Sequence, residues 1–335
     1  MSILRSDIIF YGSASMPDDD TPTGIGGAID TSIRIAFSDI SSNGNFQVVS
    51  SAAGDTTQTV TAYGRDAPGN LINEGKVLTG LTPVAMTAET VWERLLKGTK
   101  SATTTGDVAI EAASSTRDNT AQGAADATTS ESAYITLDVG ASAVDDAYNG
   151  MVLRLDGGTG VGQIRYGIDY DGATKRLYVN RDWDTTPDAT SEYIVSDGIV
   201  FEKSPNEVSE VRRPFYAALA ENRDGSARTY YEKIFSENVH ATLDLTNAVV
   251  GELADPTGNI DFDLESTLDG TDTNGVGNRQ THTGGYTFDS TSKDVANSQS
   301  HTSGAGQGIW LRLTLPAGEA AAKTSFTLQE EGTST

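Results

Sequence analysis

The chain has no cysteine. Disulfides, thiolate metal centres and cysteine nucleophiles are therefore excluded. Long apolar runs are missing too. The longest, FYAALA at 215–220, has six residues, against about 20 for a membrane-spanning helix. The run IIFY at 8–11 follows Asp7 and is too short for a signal-peptide core. The expectation is a soluble chain that does not use a standard secretory signal. Positive charge is also scarce. Lys and Arg total 23 against 47 Asp and Glu, a net charge of −24. That field repels polyanions, so neither nucleic acid nor an anionic membrane surface is expected as a partner. It favours solubility.

What is abundant is small and flexible. Of 335 residues, 35 are Gly and only 37% are hydrophobic, with Thr, Ser, Ala and Asp making up much of the rest. This composition favours many short strands and turns over long helices, and an all-β fold is expected.

Residues 1–30 contain SMPDDDTPTGIGG and read as an extended arm. From Ser32 the apolar period becomes two. Ile33, Ile35 and Phe37 alternate with Arg34, Ala36 and Ser38, and NFQVVSS, TQTVTAYG, NEGKVLTG and DVAIEA follow. RDAPGN between the second and third of these predicts a hairpin. In ETVWERLLKGTK, Val91, Trp92, Leu95 and Leu96 fit a helical face, but the flanking strand-turn-strand pattern favours a strand. Residues 31–113 are thus expected as a β-sandwich domain, and 114–132, poor in apolar residues, as a linker. Residues 133–197 hold five short strands and predict a small barrel-like β module. There Ile164, Tyr166, Ile168 and Tyr170 share one expected face, which Leu177 and Val179 continue across an Asp171-Gly172 turn. Residues 198–335 read as a second β-sandwich domain. In it Ile260, Phe262 and Leu264 alternate with Asp261, Asp263 and Glu265, and Ile309, Leu311, Leu313 and Leu315 point inward. A long polar loop, 266–308, interrupts that domain, and loops of such length usually serve a function.

The motif most suggestive of chemistry is GGTGVGQ at 157–163. A dinucleotide fingerprint matches Gly158 and Gly160 and then meets Gln163. A phosphate-binding loop matches Gly157 and Gly162, and Gln163 again stands where lysine is required. A strand pattern follows, so no helix N-terminus is available for an anion. The stretch therefore reads as a tight β-turn. Asp169-x-Asp171-Gly172 and Asp272-x-Asn274-Gly275 match the middle of a calcium loop. Both lack the first ligand, at Gly167 and Gly270, and the closing glutamate, at Tyr178 and Thr281. Carboxylate pairs such as Asp261 with Asp263 or Asp182 with Asp184 carry little signal in so acidic a chain. His240, His282 and His301 include no H-x-H pair, and no G-x-S-x-G elbow accompanies them. Trp92, Trp183 and Trp310 read as core or interface residues. No catalytic, cofactor or metal residue is assigned, and no enzymatic activity is expected.

Several stretches carry a family resemblance. They are SDIIFYGSASMPDDD, SSAAGDTTQTVTAYGRDAPG, the segment from Asn149 to Val195, VRRPFYAALAENRDGSARTYYEKIFSENVHATLDLTNA and GQGIWLRLTLPAGEAAAKTSFTLQ. Together they resemble tailed-bacteriophage virion structural proteins. The segment 149–195 resembles a module shared by several kinds of phage structural protein. The resemblance implies a non-enzymatic minor capsid protein of cement or decoration type. Such a protein would bind the outside of the major capsid shell and be made in the host bacterial cytoplasm. A homo-oligomer, with a trimer favoured by local three-fold sites on capsids, is the expected state. The alternative is a neck, tail or fibre component that recognises a host surface; a polysaccharide-degrading virion enzyme comes third. The arm, residues 1–27, and the loop 266–308 are the expected interaction surfaces.

Overall fold

The computed structural model describes residues 3–18, 24–35, 37–40, 44–88, 92–113, 117–119, 130–216, 226–318 and 326–334. Most of the expected linker 114–132, the arm residues 1–2 and 19–23, and most of the 215–220 run lie outside them. The described chain is almost entirely strand, arranged in several open sheets. It forms two compact units, Ala36–Arg213 and Met1–Ile35 with Pro214–Thr335.

In the unit Ala36–Arg213, one sheet has the order Glu210–Arg212, Arg94–Lys100, Thr59–Arg65, Leu71–Val77. A second has the order Gly198–Phe201, Val108–Ala112, Phe46–Ser50, Val84–Ala85. Phe46, Val60, Ala62, Trp92, Leu95, Ile110 and Phe201 fill the space between them, the layered arrangement of a sandwich. The strand expected in ETVWERLLKGTK is present as Arg94–Lys100. Trp92 is a core residue, edge-on to Phe46 at 5.5 Å. Gly198–Phe201 pairs with Val108–Ala112, so residues expected to open the last domain complete the first sandwich. Hydrophobic pairing with a strand almost 90 positions earlier overrides the local sequence break.

The third sheet of this unit has the order Tyr134–Thr136, Arg176–Val179, Ile164–Asp171, Val152–Gly157, Glu192–Ser196, Arg117–Asn119. It carries the strands expected for the small module and remains open, with two outer strands. Its faces are covered by different cores. Ile164, Tyr166 and Ile168 pack with Val49, Ala109 and Val200. Tyr170 joins Leu153, Leu177, Val179 and Trp183 in the other core. The single apolar face expected along Ile164–Tyr170 is therefore divided. The cause is a register shift between Gly167 and Asp169, which places one extra residue in the strand and reverses its alternation.

In the other unit one sheet has the order Ile260–Leu268, Gly306–Leu315, Arg228–Asn238, Ile8–Ser15, Gly26–Arg34. Leu245–Ala254 pairs with Lys293–Asp294, Ser300–His301 and Thr327–Ser334 in a second sheet. Tyr230, Ile234, Ile309, Leu311 and Phe262 form the core with Leu245, Ala248 and Val250. The expected inward set Ile309, Leu311, Leu313 and Leu315 all belong to it. Most of the described part of the N-terminal segment, expected as an extended arm, is folded into this sheet, and its Ile9, Tyr11 and Ile25 are buried. Ile8–Ser15 pairs with Arg228–Asn238 on one side and Gly26–Arg34 on the other.

Candidate functional site

The region built by both segments singled out in the sequence is the non-core face of the five-stranded sheet just described. Lys233 lies opposite Trp310 on the neighbouring strand, and Trp310 opposite Asp263. These residues alternate with the core-facing Ile234, Ile309, Leu311 and Phe262, so they project from the other side. Alternation alone predicts that Trp310 meets solvent, yet it is fully buried. The loop 266–308 covers it. His282 stands edge-on to Trp310 at 4.5 Å, Tyr286 lies 5.9 Å from it, and Tyr231 and Phe288 complete the group, 5.3 Å apart. Tyr231, His282, Tyr286 and Phe288 are half-buried. Apart from Tyr231, these rings come from a loop otherwise rich in Gly, Thr, Asn and Ser. They fasten it to the sheet through apolar contact with one large indole. Tyr286 donates its hydroxyl hydrogen to Asp272 at 2.7 Å. Burial and that acidic partner push the phenol well above its ordinary range.

Arm and loop meet beside this aromatic cap. Gly27 N–H donates to Asp272 O at 2.8 Å, and Asn274 N–H donates to Ile25 O at 3.1 Å. Gly26 makes the approach possible. Its φ is +95°, and a β-carbon there would lie 2.7 Å from Asp272 O and 2.8 Å from the Trp310 ring. Lys233 pins the junction. Its Nζ donates to Glu265 at 2.7 Å, Gly27 O at 2.7 Å, Gly270 O at 3.1 Å and Asp272 O at 3.2 Å. Lys233 is 0% exposed and Glu265 2%. Burial lowers the Lys233 pKa and raises that of Glu265; each is opposed by the partner's charge. Glu265 reaches Lys233 across Gly308, where a β-carbon would stand 2.1 Å from its carboxylate oxygen. A residue expected on the solvent side of NIDFDLES is thus the buried partner of a cation. The loop covers the sheet there and a register shift follows Leu264.

The other candidates have structural occupations. Gly158, Gly160 and Gly162 have φ of +68°, +81° and +93° and reverse the chain between Val152–Gly157 and Ile164–Asp171. This is the tight turn expected from GGTGVGQ. A β-carbon on Gly158 would lie 1.7 Å from Thr190 O. Gln163, where both phosphate templates fail, latches a neighbouring loop. Its Nε2 donates to Thr185 O at 2.8 Å and its Oε1 accepts from Asp184 N–H at 2.7 Å. Asp171 accepts from Ala173 and Thr174 amides, and hydrogen bonds from Thr174 hold its pKa below the ordinary value. Asn274 donates to the carbonyls of Asn278 and Thr281.

Three of the four carboxylates in the pairs singled out are engaged. Asp184 pairs with Arg165 and Arg181, Asp261 with Arg312 at 2.5 Å, and Asp263 accepts from Thr287 N–H. Asp182 uses its carbonyl, which accepts from Arg165. Among the described residues no group of three or more His, Asp or Glu is placed to hold a metal ion. The three histidines go separate ways. His282 is in the aromatic cap. His240 Nδ1 accepts from the Thr242 and Leu243 amides. His301 is buried, with Nδ1 2.5 Å from Glu330 and Nε2 2.8 Å from Ala305 O. Trp183 is a core residue stacked under Arg165 at 5.3 Å.

The chain matches no protein family, no curated protein and no solved structure. Sequence periodicity overlooks Arg228–Asn238, the longest strand among the described residues. Glu232 and Lys233 break its hydrophobic pattern, and both are buried by partners distant in sequence, Lys233 by Glu265 and Glu232 by Arg279. TYYEKIF does carry β-branched and aromatic residues, the one local signal that could have revealed it.

Proposed function

We propose that this protein is a structural component of a tailed-bacteriophage virion, a cement or decoration protein bound outside the major capsid shell. The observation that carries this reading is the condition of segment 149–195, which bears the strongest resemblance to virion modules. Its conspicuous polar residues are taken up in holding turns: Gln163 accepts from the Asp184 and Thr185 amides, Asp171 from those of Ala173 and Thr174, Asp188 from that of Thr190, and Asp184 pairs with Arg165 and Arg181. The Asp188 amide in turn donates to Ser191 Oγ at 3.0 Å. Side chains used in this way stiffen loops and are poorly suited to act on a substrate. An acidic surface is repelled by packaged DNA, which supports an outward location. As a homo-oligomer, a trimer at local three-fold positions, it would stabilise the expanded shell by binding that state preferentially. Cryo-electron microscopy of virions tests the assignment. Density for this chain on the capsid exterior is expected; density confined to the tail refutes it.

A second reading, a neck, tail or fibre component recognising a host surface, draws on the half-buried rings of Tyr231, His282, Tyr286 and Phe288. It predicts retention of the purified protein on host cells or their glycans. A polysaccharide-degrading role predicts release of reducing ends from capsule or lipopolysaccharide, and none is expected.

A further inference from the structure

Strand Leu71–Val77 is the outer strand of its sheet in the unit Ala36–Arg213, and among the described residues no strand pairs with its free side. Its ladder with Thr59–Arg65 runs through seven consecutive pairs without a register shift. At the two ends of that ladder, Leu78 N–H donates to Gln58 O at 2.9 Å and Asp66 N–H donates to Asn70 O at 3.1 Å. Antiparallel pairs alternate between bonded and unbonded. Val60 with Lys76, Ala62 with Glu74 and Gly64 with Ile72 are therefore the bonded pairs. The N–H and C=O groups of Leu71, Asn73, Gly75 and Val77 consequently point away from the sheet.

Such an edge is a template for another strand unless something protects it. This one has no proline and no bulge. Its inward-pointing charge, Glu74, is already satisfied by Lys76 at 2.8 Å and by the Thr87 and Ala88 amides. Leu71 and Val77 are 54% and 50% exposed, and Asn73 and Gly75 between them are exposed as well.

We propose that this edge pairs antiparallel with the same edge of a second copy of the chain. The pattern is self-complementary about Glu74. A two-fold centred there bonds Leu71 to Val77 of the second copy and Asn73 to its Gly75, and the reverse. All four residues with outward groups are then used twice over. Each exposed Leu71 side chain meets an exposed Val77, and Asn73 faces a residue with no side chain. The Glu74 pair lies unbonded on the axis; the repulsion between its two carboxylates is offset by Lys76, which pairs with Glu74 of its own copy at 2.8 Å and lies diagonal to Glu74 of the other. The contact is isologous and closes on itself. It does not depend on where in a virion the protein sits.

Sedimentation velocity and hydrogen exchange on the full chain test this. The mass of the smallest species should double with rising concentration, and the Asn73 and Gly75 amides should become protected in step. Asn73→Pro deletes an outward N–H and no ladder bond, so it should weaken association by about tenfold or more; Asn73→Ala should not. Should the proline variant fail to fold, the double variant Leu71→Lys with Val77→Lys sets like charges against each other across the axis and should abolish doubling. Two results overturn the proposal. One is a species that never doubles while the Asn73 and Gly75 amides exchange at solvent rates. The other is association that survives the folded Asn73→Pro or double-lysine variant.

Discussion

Replacing Lys233 by Met tests the reasoning about the arm–loop junction. Methionine fills much of the same volume and removes the charge. The structure shows what is lost: one ion pair at 2.7 Å and hydrogen bonds to the carbonyls of Gly27, Gly270 and Asp272. Glu265, 2% exposed, is left without its cation and keeps an amide hydrogen bond from Asp272 at 3.0 Å. Removing one partner of a buried pair costs about 3–5 kcal/mol. The folding equilibrium constant of this unit should then fall by roughly a hundred- to several-thousand-fold. Urea unfolding read by tryptophan fluorescence and circular dichroism measures it. Trp310, 5.8 Å from Nζ, reports on this unit, while Trp92 and Trp183 report on the other. Two transitions are expected, of which only one should move. The double variant Lys233→Met with Glu265→Gln should recover part of the loss, because the stranded charge is gone. A loss below about 1 kcal/mol, or a double variant as unstable as the sum of the singles, would refute a buried, mutually dependent pair.

Three further outcomes follow from particular geometries. Gly158→Ala drives a β-carbon into Thr190 O at a φ of +68°, and a loss of about 2–4 kcal/mol is expected in thermal or urea unfolding. Asn297, Ser298 and Gln299 form a left-handed turn with φ of +58°, +59° and +63°. Ser298→Gly should therefore raise stability by up to about 1 kcal/mol, the left-handed penalty of about 1–2 kcal/mol less the entropy cost of glycine; a destabilised variant would contradict this. His301 is subject first to burial, which lowers its pKa, but the hydrogen bond and charge of Glu330 outweigh this and hold it above the ordinary 6.5. The folded state then holds the proton more tightly than the unfolded one, so the contribution is complete below pH 6.5 and fades as pH rises through the raised value. Melting temperatures should fall over that interval, and His301→Gln should flatten this part of the profile.

Much of the strand content was legible because alternation is a local property. In GIWLRLTLP and NIDFDLES the apolar set identified from period two is the set found in the core. The turn at GGTGVGQ was legible for a related reason: glycine on alternate positions has few uses other than positive φ. Face assignments failed where one inserted residue reverses the alternation, as at Gly167–Asp169. The strand Arg228–Asn238 escaped notice because its charges are neutralised by residues far along the chain.

The candidate region divides in the same way. Composition marked the loop 266–308 and the N-terminal segment as unusual. Nothing local indicates that they meet, since Ile25 finds Asn274 across 249 positions. By itself the sequence determined an acidic, cysteine-free chain of short strands whose turns are placed by glycine and aspartate. The tertiary structure alone decided that Trp310, Lys233 and Glu265 lie beneath a loop when alternation would leave them in water. A strand pattern specifies which two faces a residue can choose between. What covers each face is set by long-range pairing, whose closure entropy and burial no short window of sequence contains.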